Sequence, residues 1–253
     1  MIILLIGLTG SFISGMLGIG GSIVKYPMLL YLPPLLGLAA FSAHEVSGIS
    51  AVQVLFASAS GVFAYRKGAY LHTRLIVYMG SAILAGSLLG AFGGRYLSES
   101  AINLVYGVLA SIAAVMMFWP VKASEERPIS EIDFPRAVAV VCAFVVGLLS
   151  GVVGAAGAFI LVPIMIVVLR IPTRVTIASS LAITLISSIG TAVGKLATGE
   201  VLLGPALIMI WASIVAAPLG ARVGKRMNAN GLRYILAALI ALTCMKIWTG
   251  MAL

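Results

Sequence analysis

Ser14-Gly-Met-Leu-Gly18-Ile-Gly20-Gly21-Ser22-Ile-Val-Lys25-Tyr-Pro27 and Ser150-Gly-Val-Val-Gly154-Ala-Ala-Gly157-Ala-Phe-Ile-Leu-Val-Pro163 decide how this chain reads. Displaced by 136 residues, the two stretches coincide at Ser14/Ser150, Gly15/Gly151, Gly18/Gly154, Gly21/Gly157 and Pro27/Pro163. Each interrupts an otherwise unbroken apolar run near the start of one half of the chain. Glycine inside such a run weakens the helix and lets the backbone turn or approach another group.

The surroundings of the two stretches set the class. Of 253 residues, 62% are hydrophobic and 9% charged, and the mean hydropathy is +1.18. A soluble domain carries about a quarter charged residues, so the expectation is an all-α integral membrane protein. The longest hydrophilic segment, 122–136, holds Glu125, Glu126, Glu131 and Asp133, four of the seven acids. It reads as a cytoplasmic loop between a first membrane repeat, 1–121, and a second, inverted one, 137–253. The net charge of +9 does not signal nucleic acid, because membrane proteins concentrate Lys and Arg in cytoplasmic loops and no basic cluster is interleaved with aromatics. Cys142 and Cys244 lie in apolar runs at non-equivalent positions and read as packing residues. The apolar start lacks a basic flank and runs into the first motif, so no cleavable leader is expected.

Two broken segments, Met1–Leu32 and Ala137–Leu169, are each followed by three spans of ordinary length. These are Glu45–Tyr65, Leu75–Gly94 and Ala101–Trp119, then Thr176–Leu196, Val201–Ala221 and Tyr234–Gly250. If every segment crosses the bilayer once, the cations divide almost evenly between the two sides. If each broken segment is a re-entrant hairpin, one side collects Arg66, Lys67, Arg74, Lys122, Arg127, Arg136, Arg170, Arg174, Arg222, Lys225, Arg226 and Arg233. The other side keeps Arg95, Lys195 and Lys246. Such a bias marks the basic side as cytoplasm and puts both termini outside. The expected plan is an inverted repeat with two broken, re-entrant hairpins and about six spanning helices. In that plan, paired interruptions point to a transport site.

Several residues could carry chemistry. Helices restarting after Gly18, Gly20 and Gly21, and after Gly154, Ala155 and Gly157, would offer free amides and a positive dipole end to an anion, with Ser22 at the first. The other reading is close packing of small residues; recurrence in both halves favours the site. Ser47, Ser50, Gln53, Ala57 and Ser60 share one helical face, as do Ser180, Thr184, Ser187, Thr191 and Lys195. Either stripe suits the oxygens of a tetrahedral anion or serves as a packing face whose hydroxyls bond back to the helix. Lys25 and Lys195 are the cations nearest the hydrocarbon zone, where a charge is a functional hypothesis. Lys195, near a helix end, is expected to snorkel; Lys25 is the stronger candidate, although Leu161 stands in its place in the second half. His44 and Glu45 suggest proton coupling, while Ser42-x-x-Glu45 is the favoured reading as a capping box. No metal, cofactor or phosphoryl-transfer motif is present, and an enzyme is not expected.

Gly15-x-x-Gly18-x-Gly20-Gly21 with Pro27, Gly151-x-x-Gly154-x-x-Gly157 with Pro163, and Ala178-Ser179-Ser180-Leu181 resemble the sulfite exporter TauE/SafE family, also called the 4-toluene sulfonate uptake permease family. The likeness spans nearly the whole chain. It implies a secondary transporter of small sulfur-containing anions (sulfite, thiosulfate, sulfonates, sulfoacetate) in the cell membrane, with the hairpin glycines and Ser179–Ser180 lining the path. Beside the resemblance, proton or sodium coupling is a further partner to consider, and the coupling ion and oligomeric state are left open. Two departures stand out: Val46-Ser47-Gly48 where a small-Thr-Ser run is common, and Ala158 after Gly157. The alternatives are a non-transporting membrane anchor for a partner protein, or a passive anion channel.

Overall fold

The computed structural model describes residues 1–19, 22–65, 70–118, 132–155 and 157–252. Among them there is no strand. The helices are α1 (Ile2–Leu17), α2 (Ser22–Leu35), α3 (Ala43–Tyr65), α4 (Thr73–Gly94), α5 (Glu99–Phe118), α6 (Arg136–Val153), α7 (Ala158–Pro163), α8 (Thr173–Ala197), α9 (Leu203–Arg226) and α10 (Ala229–Ala252). α7 runs on as a π-helical turn, Ile164–Val168. Seven helices, α3 to α6 and α8 to α10, are long and apolar enough to cross a bilayer. That is one more than the sequence reading expects. The addition is α6, the first arm of the second broken segment, which reaches 18 residues before its bend.

Both breaks are real. α1 ends at Gly18 with φ 74°, and α6 ends at Gly154 with φ 76°. Only glycine takes this left-handed conformation without strain. The Gly18 amide donates to the Ser14 carbonyl at 2.9 Å, and the Ala155 amide to the Ser150 carbonyl at 3.1 Å. After the first break the chain doubles back. Gly10, midway along α1, has no side chain, and the methylenes of Lys25 on α2 fill that space. A continuous helix would hold these residues about 22 Å apart.

The helix pairs of the two halves correspond. α1 packs along α9 and α6 along α4; α3 packs on α9 and α8 on α4; α3 meets α8, and α5 meets α10. The seams between α1 and α9 and between α6 and α4 are lined by glycine because backbones touch there. A side chain at Gly15 would strike the Ala217 carbonyl, at Gly220 the Phe12 carbonyl, and at Gly90 the Leu148 carbonyl. Without a hydrophobic drive between helices in lipid, such close approach is what holds them together. Packing is thus the role of Gly15 and Gly151, whereas Gly18 and Gly154 turn the chain.

The bundle has two ends. At the first, His44 at the start of α3 meets Glu200 after α8 and the Leu97 carbonyl between α4 and α5. At the second, Lys225 donates to the Ala64 carbonyl, and the Arg174 guanidinium donates to the carbonyls of Lys225 and Met227, each at 3.3 Å. Arg66, Lys67, Lys122 and Arg127 lie outside the described residues. Ala39, before α3, lies at the first end and Asn228, before α10, at the second; both are exposed. In a background of Cys142→Ser and Cys244→Ser, Ala39→Cys should react with a membrane-impermeant maleimide from outside intact cells. Asn228→Cys should react only after the membrane is opened. Equal accessibility from one side would contradict this arrangement.

Candidate functional site

The two bends meet inside the bundle. The Ser22 hydroxyl at the start of α2 donates to the Ala155 carbonyl just past the second bend, at 3.1 Å. Each bend is also held by the long helix that follows the opposite one. Ser180 on α8 donates to the Gly18 carbonyl at 2.8 Å. Ser47 on α3 donates to the Val152 carbonyl, in the last turn of α6, at 3.1 Å. A side chain at Gly18 would strike α8 near Ile177 and Ser180, and one at Gly154 would strike Ser47. Loose carbonyls in an apolar interior cost free energy unless paired, so these serines make the bends affordable. Gly157 is also left-handed, φ 71°, and packs against the Ser150 hydroxyl, Val146 and Ile83. Gly20 and Gly21 lie outside the described residues.

One turn beyond Ser47 and Ser180 the pattern changes. Ser50 on α3 and Thr184 on α8 are fully buried, as are Ser14 on α1 and Ser187 on α8. None of these four hydroxyls has a hydrogen-bond partner among the described residues. Buried polar groups are normally paired. These four, on the elements that form and brace the bends, are exceptions to that rule among the described residues. Ser179, next to Ser180, instead accepts from the His72 amide at 3.1 Å, so it fixes the start of α4.

Beside the bends lies a polar cluster that the stripe reading found only in part. Lys25 is wholly buried, and its amine donates to the Gln53 side-chain carbonyl. The Gln53 amide donates to Ser11 at 2.6 Å and Ser213 at 2.5 Å, and those two hydroxyls are 2.9 Å apart. Sequence gave no hint of Ser11 and Ser213, because only the packing of α1 along α9 brings them together. The second half has no copy of this cluster. Leu161 stands for Lys25, and Gly147 of α6 packs on Ile83 of α4.

Aromatic side chains fix α2 against α5 and α7. Tyr26 stacks on Tyr106 with ring centroids 4.5 Å apart, and Phe159 lies 5.6 Å beyond. Pro27 has no amide to give the Ile23 carbonyl. That carbonyl accepts instead from the Tyr106 hydroxyl at 2.7 Å and from Thr243 at 3.2 Å.

A third constellation sits at the first end. Lys195 does not snorkel: it is fully buried and donates to Glu200 at 2.5 Å. The cause is local. Gly199, φ 74°, ends α8 in a reversal whose Glu200 amide returns to the Lys195 carbonyl at 3.1 Å. A Lys-x-x-x-Gly-Glu spacing could have announced it. His44 Nδ1 lies 3.4 Å from the same Glu200 oxygen, and the other Glu200 oxygen is buried without a partner among the described residues. Glu45 is elsewhere: it accepts from the Ser42 amide at 2.8 Å while the Ser42 hydroxyl accepts from the Glu45 amide at 3.2 Å. The capping box forms, and the His44–Glu45 pair does not.

Seven apolar helices wrapped around buried polar groups and two bends define a multi-pass membrane protein of the transporter class. Residues 3–247 match the family described as "Sulfite exporter TauE/SafE", and the chain belongs to that family. It is 25% identical to the "Probable membrane transporter protein YunE" of Bacillus subtilis (strain 168), over 99% of this chain and 98% of that protein. It is 29% identical to a "Probable membrane transporter protein" of Xylella fastidiosa (strain Temecula1 / ATCC 700964), over 69% of this chain and 65% of the other. It is 21% identical to the "Probable membrane transporter protein MJ0441" of Methanocaldococcus jannaschii, over 94% and 91%. No solved structure matches significantly.

Gln53 is the hub of the cluster around Lys25. Gln53→Leu removes an acceptor from the lysine and a donor from two serines at nearly constant volume. It should destabilise the protein by about 1.5–3 kcal/mol, the range for hydrogen bonds to charged groups. Thermal unfolding of the detergent-solubilised protein reads this, and an unchanged midpoint would contradict the hub role.

Proposed function

We propose that the protein is a secondary transporter of small sulfur-containing anions, of the sulfonate, sulfite, thiosulfate and sulfoacetate class. It works by alternating access across the cytoplasmic membrane. The repeats 1–121 and 137–253 lie inverted to one another, joined by the cytoplasmic loop 122–136. Both termini face outward.

The observation that carries the reading is the set of buried hydroxyls, on the helices that form and brace the bends, without a partner among the described residues. An oxyanion accepts hydrogen bonds and donates few. Ser14, Ser50, Thr184 and Ser187 supply donors, and Lys25 supplies a buried amine held by Gln53. A negative charge entering from water pays a large desolvation penalty, which fixed donors and a buried amine offset. The serines that brace Gly18 and Val152 belong to the helix after the opposite bend. A rocking of one half against the other would therefore exchange these contacts and carry the guest past them.

Coupling to protons or sodium belongs at His44, Lys195 and Glu200. Glu200 is added to the candidates because it joins the other two. Glu45 is withdrawn, since both its backbone and its side chain are committed to the cap.

Purified protein in proteoliposomes should take up radiolabelled thiosulfate or a labelled short alkyl sulfonate saturably and against a gradient. Ser50→Ala with Thr184→Val should cut uptake at least about tenfold, the loss of two charge-assisted hydrogen bonds, without moving the unfolding midpoint. Glu200→Gln should keep substrate exchange but lose its response to an imposed pH or sodium gradient. Non-saturable flux indifferent to both variants would sink the proposal.

A further inference from the structure

A second site lies away from the bends, on the membrane-facing side of α2. α2 and α10 touch where Thr243 donates to the Ile23 carbonyl. Between them is a groove of about 300 Å³. Along α2 it runs from Val24 to Leu35, with Leu239 and Leu242 forming the opposite wall. Its rim is different in kind. Near the mouth, the exposed Lys246 lies over the Tyr31 ring, 5.4 Å from its centroid. Past the mouth, Leu35, Leu36 and Leu38 are all exposed.

We infer that this groove binds one acyl chain of an anionic glycerophospholipid, with the phosphate at Lys246. Three observations agree. From Val24 to Leu35 the helix rises about 16 Å, which matches one leaflet of a hydrocarbon core about 30 Å thick. The charge is complementary: an apolar slot ends in a cation and a tyrosine ring, the pairing that sits at headgroup level. Finally, the slot has a chemical asymmetry that suits a lipid better than a second copy of the chain. Its charged group, Lys246, lies with Tyr31 at the mouth, and its remaining polar side chain, Thr243, is committed to the Ile23 carbonyl.

The position gives the lipid a role. Val24 faces the groove, and Lys25, the next residue, faces the buried cluster with Gln53. A chain lying in the groove would press the return arm of the first bend against the bundle. It would thereby steady the helix that presents Lys25.

The test uses the full-length protein, delipidated in detergent, with dioleoyl phosphatidylglycerol or dioleoyl phosphatidylcholine added back. Phosphatidylglycerol should raise the unfolding midpoint by about 4 °C or more beyond phosphatidylcholine. Lys246→Gln should remove at least half of that difference. Leu242→Trp, which fills the slot, should abolish the shift with both lipids and remove co-purified phospholipid from the native mass spectrum. Equal shifts with both lipids in the unaltered protein would overturn the inference. So would a full preference surviving in Lys246→Gln, or a lipid-free dimer that Leu242→Trp dissociates.

Discussion

A helix that breaks inside a membrane leaves amides and carbonyls with no water to satisfy them, and this structure is arranged around that constraint. The Gly18 and Gly154 bends lie within the bundle, and protein groups meet their loose ends. Ser180 takes the carbonyl at the first, Ser47 a carbonyl of the helix leading into the second, and Ser22 links one bend to the other. The glycine seams follow from the same need. α1 and α6 must press their backbones against α9 and α4 so that the bends are enclosed, and any side chain at Gly15, Gly90 or Gly220 would hold them off. Pro27 fits as well: it strips one more carbonyl of its partner, and Tyr106 and Thr243 replace the bond.

The two halves share packing but not chemistry. Both have a bend, a bracing serine and an unpaired hydroxyl one turn on, Ser50 in one and Thr184 in the other. The buried amine of the first half, Lys25, meets Gln53, whereas that of the second, Lys195, meets Glu200 at the end of the bundle. The half that carries Lys25 has an α-helical return arm, stacked through Tyr26 on Tyr106, whereas the other return arm gives way to a π-helical turn after Pro163.

Much of this was legible in the residues, and the part that was not has a physical reason. The bends were legible because glycine clusters in an apolar run have few other uses and because they recur. The polar faces of α3 and α8 were legible from helical spacing. Which hydroxyls are committed to structure was not: Ser47 and Ser50 look alike in sequence, yet one braces the bend and the other is unpaired. Ser11 and Ser213 are 202 positions apart and could be joined only by knowing that α1 lies along α9. Lys195 was misread because helix-end lysines usually reach for water, and here the reversal at Gly199 brings a carboxylate inward instead. Hydropathy alone does not separate α6, the arm before the second bend, from a crossing helix, because it is as long and apolar as one.

The account stands or falls on the contact between the two bends, and disulfide trapping reads that contact directly. With Cys142 and Cys244 replaced by serine, Ser22→Cys and Ala155→Cys in one chain should cross-link readily under mild oxidant in native membranes. Ser111→Cys in a chain that retains Cys244, a pair 3.3 Å apart through the serine oxygen, serves as the positive control. A peptide map showing the 22–155 bridge at a yield near the control is the predicted result. A control that cross-links while 22 and 155 stay reduced would mean the bends do not meet, and the site built upon them would go with them.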